Sequence, residues 1–267
     1  MDMQRTGFSR FALSAYFWGV IAFLAFPIFV IIPISFSNSQ FLRFPPQDLG
    51  IRWYETYFND AVWVSATILS FKVALLASLV ATIVGTMAVI SLDRGAARTR
   101  QMLTYLITAP IIIPHIFIAL GVFILAIRFG FADSEIALAG AHATIAMPFV
   151  VLIVGAAMRQ MDPTIERAAR VLGAGPVRAF FSATFPSLLP AIVAAGVFAF
   201  FVSFDELIIA QFMLSGKETL PMRIWADLKL EVSPTVAAVS SLLIVVTTIA
   251  MVGAELLRRR AAGVRGD

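Results

Sequence analysis

Residues 159–185 read RQMDPTIERAARVLGAGPVRAFFSATF, a polar-ended stretch set between two long apolar blocks. It is far longer than the tight turn that two adjacent membrane spans would need. Its pattern is helical. Asp162 suits an N-cap and Pro163 the first helical position. Ile165, Ala168, Ala169 and Leu172 then recur at i, i+3, i+4 and i+7, which gathers them on one face, while Glu166 and Arg170 form an i, i+4 pair on the other side. Gly173 supplies a left-handed stop, and Gly175-Pro176 turns the chain into a second short helix where Val177, Phe180 and Phe181 make another stripe. Two readings stand. One is an amphipathic helix lying on lipid headgroups with its arginines toward phosphate. The other is a docking element for a cytoplasmic partner, in which small alanines allow close approach and the Gly-x-Pro joint makes a knob rather than a flat raft.

On either side of this loop the chain is too apolar for water. Of its 267 residues 60% are hydrophobic and 13% charged, against roughly a quarter charged in a soluble domain. Twenty-four Phe and the other apolar residues exceed what a core of this length can hide, so lipid must cover much of them. A soluble enzyme is excluded. With no Cys there is no disulfide framework, thiolate metal site or cysteine nucleophile, and two His give little material for a metal centre. The net charge of +4 comes from basic residues scattered between apolar blocks, not a stripe, which argues against nucleic acid.

A helix needs ~20 residues to span the hydrocarbon, and six uncharged or nearly uncharged apolar stretches are long enough: 13–35, 64–92, 102–127, 136–158, 188–214 and 236–257. Being continuous rather than alternating, they predict helices and not barrel strands, hence an all-α, polytopic single domain. The first stretch follows Arg5 and Arg10 like a signal peptide, but its apolar run is too long and no small-residue cleavage site follows, so it is expected to be a retained span. Orientation comes from the connecting segments. Arg5, Arg10, Arg94, Arg98, Arg100, Arg159, Arg167, Arg170, Arg178, Arg258, Arg259, Arg260 and Arg265 fall on the amino-terminal side, and only Arg43, Arg52, Arg128, Lys217, Arg223 and Lys229 on the other. Both termini are therefore expected in the cytoplasm. The outer segments 36–63 and 215–235 are expected to hold short interfacial helices anchored by aromatics such as Trp53, Tyr54 and Trp225. Prolines in the first (Pro27, Pro33), third (Pro110, Pro114) and fifth (Pro186, Pro190) stretches mark candidate kinks.

The loop at 159–185 resembles the E-A-A-x-x-x-G loop of the integral membrane subunits of binding-protein-dependent ABC importers, which continues with nine residues and I-x-L-P. Arg167-Ala168-Ala169 and Gly173 occupy the first part, and Ala183-Thr184-Phe185-Pro186 the last. Arg167 stands where the family has Glu, with Glu166 one position earlier, and Ala183 and Phe185 replace Ile and Leu. Six spans, the outer segment after the first, SFDELIIAQFM at 203–213 and LPMRIWADLKLEVSP at 220–234 further resemble the second, shorter permease subunit of the spermidine/putrescine subfamily. The resemblance implies an ABC importer permease fold in the bacterial inner membrane and a polyamine or related small solute. It implies a second permease subunit, a cytoplasmic ATPase dimer that binds the ATP and Mg, and a periplasmic solute-binding protein. The chain would carry no cofactor and do no chemistry of its own; the P-loop pattern G-x-x-x-x-G-K-[ST] is absent from it. Glu166, Arg167, Ala168, Ala169, Gly173 and Pro186 would then be the residues that couple it to the ATPase.

Charges inside spans cost ~2.5–3.5 kcal/mol on insertion scales, so each needs a partner or a task. Lys72, toward the outer end of the second stretch, reads as a side chain snorkelling to headgroups. His115, between Pro110-containing and apolar runs, reads as a hydrogen bond across the bundle in preference to a proton relay. Asp205 and Glu206, with Ser203 just before them, are the candidate substrate-pathway residues. In a helix rising 1.5 Å per residue from near 189, Asp205 would stand about 24 Å up, in the outer half of the bilayer. Neighbours on a helix point ~100° apart, so at most one of the two carboxylates is expected to face a central pathway squarely while the other points to a neighbouring helix. A carboxylate there would help a cationic amine across a low-dielectric gap. The competing reading is an ion pair with the sister subunit or contact with outer water. A secondary transporter using Asp205 and His115 as an ion site is the rival function; the absence of an inverted repeat and the coupling-type loop oppose it. An intramembrane enzyme lacks a convincing cluster of catalytic side chains.

Overall fold

Apolar runs in lipid must satisfy their own backbone, and helices do so over most of the described residues. The computed structural model describes residues 7–93, 95–230 and 233–263, with side chains over 11–93, 95–229 and 233–249. In chain order the helices are α1 (Gly7–Ser35), α2 (Arg52–Asn59), α3 (Ala61–Asp93), α4 (Ala97–Thr108), α5 (His115–Phe129), α6 (Glu135–Gln160), α7 (Thr164–Val171), α8 (Pro176–Ala179), α9 (Phe185–Phe204), α10 (Ile208–Met213), α11 (Leu220–Leu230) and α12 (Pro234–Gly263). Among the described residues the only β pairing is an isolated bridge between Ser37 and Leu49. Arg5, Arg10, Arg94, Arg258, Arg259, Arg260 and Arg265, which contribute to the orientation reading, lie outside the residues whose side chains are described.

Two of the six apolar stretches are divided in ways that a hydropathy count does not foresee. The third, expected as one span over 102–127, is a bent pair: α4 ends in a short 3-10 turn at Ala109–Ile111, and α5 restarts at His115 with its axis turned by 96°. Pro110 and Pro114 are the cause. Each lacks an N–H and crowds the preceding turn, and Pro114 is recruited as the N-cap of α5. The fifth stretch, expected over 188–214, stops at Phe204 and restarts as α10 at Ile208. It also begins earlier than expected. The second short helix of the loop is in fact its first turn, since α8, a π turn at Phe180–Thr184 and α9 make one apolar run of 29 residues from Pro176 to Phe204. The wider turn sits directly before Pro186, whose ring would crowd the carbonyl of Ser182 in a regular helix. Four helices are therefore long and apolar enough to cross a bilayer, α4 and α5 form a broken fifth candidate, and α12 is apolar and described with side chains as far as Ile249.

Contacts divide the chain into two units. In the unit formed by Met1–Val64 and Ile224–Asp267, α12 packs against α1 and α2. The segment leading to α2 is pinned by its aromatics: Trp53 Nε1–H donates to the Ser39 carbonyl at 3.0 Å, and the Tyr54 and Ser35 hydroxyls are 2.6 Å apart.

The unit Ser65–Arg223 is built on α6, which lies along α9. Ala139, Ala143 and Ala146 of α6 and Ala195 and Ala199 of α9 are fully buried, as are Ala74, Ala77 and Ala81 of α3. Without a hydrophobic drive between helices in lipid, such small residues let backbones approach and gain dispersion contact. Gly85 of α3 shows how close: a Cβ there would lie 2.9 Å from Val150 Cγ1 of α6. In the same unit α5 packs along α10, with Phe123 edge-on to Phe212.

Candidate functional site

The loop at 159–185 forms one short helix followed by the foot of a long one. Pro163 takes the N-cap place of α7 and Asp162 Oδ1 accepts the Thr164 N–H at 2.8 Å, so the cap lies one residue later than the sequence suggests. That hydrogen bond holds the Asp162 carboxyl below its ordinary range. At the other end Gly173 adopts φ +91, its N–H meets the Arg170 carbonyl at 3.0 Å, and the Ala174 N–H reaches back to Ala169 at 3.0 Å. This paired closure ends the helix and needs a left-handed residue at Gly173.

Glu166 is the polar centre of the loop. One carboxylate oxygen meets Arg170 at 3.3 Å and the other accepts the hydroxyl proton of Thr184 at 2.7 Å. Thr184 is buried in the π turn, so Glu166 ties α7 to the foot of α9. Arg167, which holds the family's acidic position, is exposed, as are Ala168 and Gly173; Ala169 and Pro186 are half-buried. Among the described residues Ile165, Val171, Leu172 and Val177 are exposed apolar side chains, Leu172 being 88% exposed.

The second candidate site sits where α9 breaks. Ser203, Asp205 and Glu206 come together there, but with different surroundings. Ser203 Oγ is buried 2.9 Å from Nδ1 of His142 in α6. Glu206 is only 6% exposed; its Oε2 lies 2.8 Å from Nδ1 of His115, the first residue of α5, and its Oε1 accepts the Ile209 N–H at 2.9 Å. With Glu206 as a carboxylate, which only accepts, Nδ1 of His115 would be the donor. Asp205 lies between these two anchored residues, at the C-cap of α9 and exposed. It therefore stands at a helix end and not part-way up a continuous helix. In the last turns of α9 Phe200 and Phe204 stack on each other, and Phe71 of α3 meets Phe200 edge-on.

His115 thus makes the cross-bundle hydrogen bond expected of it. His142 is the residue that reading the sequence passed over, although a histidine inside the apolar run Ala141-His142-Ala143 is itself a signal of a buried partner. Lys72 is exposed on α3 and, among the described residues, has no ion-pair partner within 4 Å.

Comparison with known proteins bears on both sites. The family described as "Binding-protein-dependent transport system inner membrane component" matches residues 81–263, a range that holds the loop and the α9 break. The chain belongs to that family. It is 32% identical to the putrescine transport system permease protein PotI of Escherichia coli (strain K12), over 83% of this chain and 82% of that one. To the spermidine/putrescine transport system permease protein PotC of Haemophilus influenzae it is 29% identical, over 94% and 98%. Among solved structures, a bacterial ABC transporter involved in the import of the acidic polysaccharide alginate superimposes with a TM-score of 0.69 at 15% identity, covering 96% of this chain and 99% of that one. An amino acid ABC transporter follows with a TM-score of 0.59 at 19% identity, covering 78% and 98%. These likenesses establish an ABC permease fold. The protein is a multi-pass inner-membrane permease subunit of an importer, not an enzyme, and the ion-driven alternative is not favoured.

Proposed function

We propose that this permease carries a polyamine such as putrescine or spermidine, or a related small cation, and that Asp205 is the carboxylate its ammonium groups meet. The observation that carries this reading is the exposure of Asp205 at a helix break, between two residues, Ser203 and Glu206, whose side chains are already bonded. An exposed carboxylate suits an ammonium group. Broken helices are also where membrane transporters place polar sites, because backbone groups freed there need partners. The names of the polyamine-transport relatives support the same solute class.

In this reading the chain forms a six-crossing permease domain with both termini cytoplasmic, as the arginine bias indicates. It pairs with a second permease subunit, receives solute from a periplasmic binding protein, and rests on an ATPase dimer that holds the ATP and Mg. The coupling surface is the loop at 159–185. Its exposed Ile165, Val171, Leu172 and Val177 would fill a cleft on the ATPase, and the Glu166–Thr184 bond would pass the push into α9. The deciding experiment is reconstitution of the complete transporter with its binding protein in liposomes. ATP-dependent accumulation of labelled putrescine or spermidine is expected; accumulation of neutral or anionic solutes in preference to amines would refute the solute class.

A further inference from the structure

Both histidines of the chain are spent on one four-residue segment, and they hold it from opposite sides of the α9 break. His142 of α6 fixes Ser203 below the break; His115 of α5 fixes Glu206 above it. His115 itself stands just past the other helix break, at Pro114, so the His115–Glu206 contact joins the two interruptions directly. The far ends of α5 and α10 are joined as well. After α5 the chain turns through Gly130 (φ +72), the Asp133 N–H donates to the Met213 carbonyl at 3.0 Å, and Asp133 Oδ1 accepts the Ser215 N–H at 2.9 Å. With Phe123, midway along α5, against Phe212 as well, α5 and α10 are fastened at both ends of α10.

We infer that His115 is a positioning residue for transport: by holding Glu206 it fixes the start of α10 and so sets where Asp205 stands, while Glu206 serves as a structural anchor and not as a solute carboxylate. This deepens the proposed function and rests on its reading of Asp205. The chemistry separates anchor from solute ligand. Glu206 uses one oxygen to cap Ile209 and the other for His115, leaving little of the carboxylate open. A Gln side chain keeps the cap through its carbonyl oxygen and turns its NH2 to His115, whose ring accepts through Nδ1 in its other tautomer. Asn in place of His115 sets an amide N–H near the position of Nδ1.

The test compares conservative and truncating substitutions in the assembled transporter. Glu206→Gln and His115→Asn are expected to keep maximal uptake within about threefold of the parent, and Glu206→Ala and His115→Ala to lose about tenfold or more. The pair His115→Ala with Glu206→Ala should fare no worse than Glu206→Ala alone, because that substitution already removes the shared contact. A loss with Glu206→Gln as large as with Glu206→Ala would overturn the proposal by showing that the charge is used. Failure of His115→Asn to exceed His115→Ala would overturn it by showing that the imidazole is needed. A second readout is independent of solute and of uptake. The chain has no Cys, so Asp205→Cys provides a single thiol whose alkylation rate in the assembled complex reports its position. His115→Ala should change that rate at least threefold and His115→Asn should not; an unchanged rate in both refutes positioning. Asp205→Asn with parental uptake, together with a thiol rate that responds to His115, would instead sink the solute reading and leave the positioning intact.

Discussion

Thr184 donates its hydroxyl proton to Glu166 across eighteen residues of chain, at 2.7 Å, a side-chain hydrogen bond between α7 and the foot of α9. Thr184 is buried, so its hydroxyl has no water to turn to if Glu166 is lost. Leaving such a group unpaired costs ~1–3 kcal/mol, whereas removing it together with its need costs less. Thr184→Val should therefore assemble normally and still lower solute-stimulated ATPase activity by about fivefold, the equivalent of one net hydrogen bond of ~1 kcal/mol. Basal ATPase activity should be unchanged. Full stimulation in an assembled Thr184→Val transporter would show that the loop signals without this bond.

Gly173 closes α7 at φ +91, and an added Cβ there would meet no atom within 4 Å. The cost of substitution within this chain is thus backbone strain, ~1–2 kcal/mol for an ordinary L-residue held left-handed. Gly173→Val should shift the exposed Leu172 and uncouple ATP hydrolysis from uptake. Gly173→Asn, which tolerates that conformation, should remain coupled. Equal uptake per ATP for the two variants would remove the role assigned to this turn.

Asp162 accepts the Thr164 N–H at the start of α7 and is held below its ordinary value of 3.8. A depressed carboxyl contributes while ionised, so its help is present above the unfolded value and is lost as pH falls through the folded one. Amide exchange at Thr164, corrected for the intrinsic pH dependence, should lose protection only on acidification below about 4. In Asp162→Asn, which keeps an uncharged acceptor, protection should show no such step. A step near neutral pH in the parent protein would point to a different group.

The helix α7 is legible because its signals are local. Asp162, Glu166, Arg170 and Gly173 act on neighbours within a turn or two, and the structure moves the cap by one residue only. The break at Pro114 is half legible, since proline predicts a kink but not whether the chain bends by 20° or by 96°. The break after Phe204 carries no such mark. It depends on Glu206 meeting His115, 91 residues earlier in the chain, and on Ser203 meeting His142, 61 residues earlier. A hydropathy window averages two carboxylates into the Phe and Leu around them and reads a continuous span.

Orientation is tested by chemistry that needs no transport. Single cysteines at Asp48 and Glu218 should react with an impermeant thiol reagent in intact cells, and those at Gly95 and Glu166 should react only after the membrane is opened. The cysteine-free background makes each signal unambiguous. Labelling at Glu166 from outside would invert the topology and with it the assignment of the loop to the ATPase.

Among the described residues, Asp205 is the acidic group of the α9 break without a side-chain hydrogen bond or ion pair. Ser203 and Glu206 are buried and bonded, whereas Asp205 is exposed at the end of α9. If its charge served the fold, Asn at this position would weaken assembly, because the neighbouring segment would lose an ion pair with the sister subunit. If it serves the solute, Asn keeps the size and some hydrogen bonding but removes the attraction for an ammonium group, and folding is untouched. Asp205→Asn is accordingly expected to assemble at parental levels and to lower the maximal rate of putrescine or spermidine uptake by about tenfold, ~1.4 kcal/mol at the rate-limiting barrier. The concentration giving half-maximal uptake should hardly move, since first capture falls to the binding protein. Assembly loss would assign the charge to the subunit interface, and unaltered uptake by an assembled variant would remove Asp205 from the pathway.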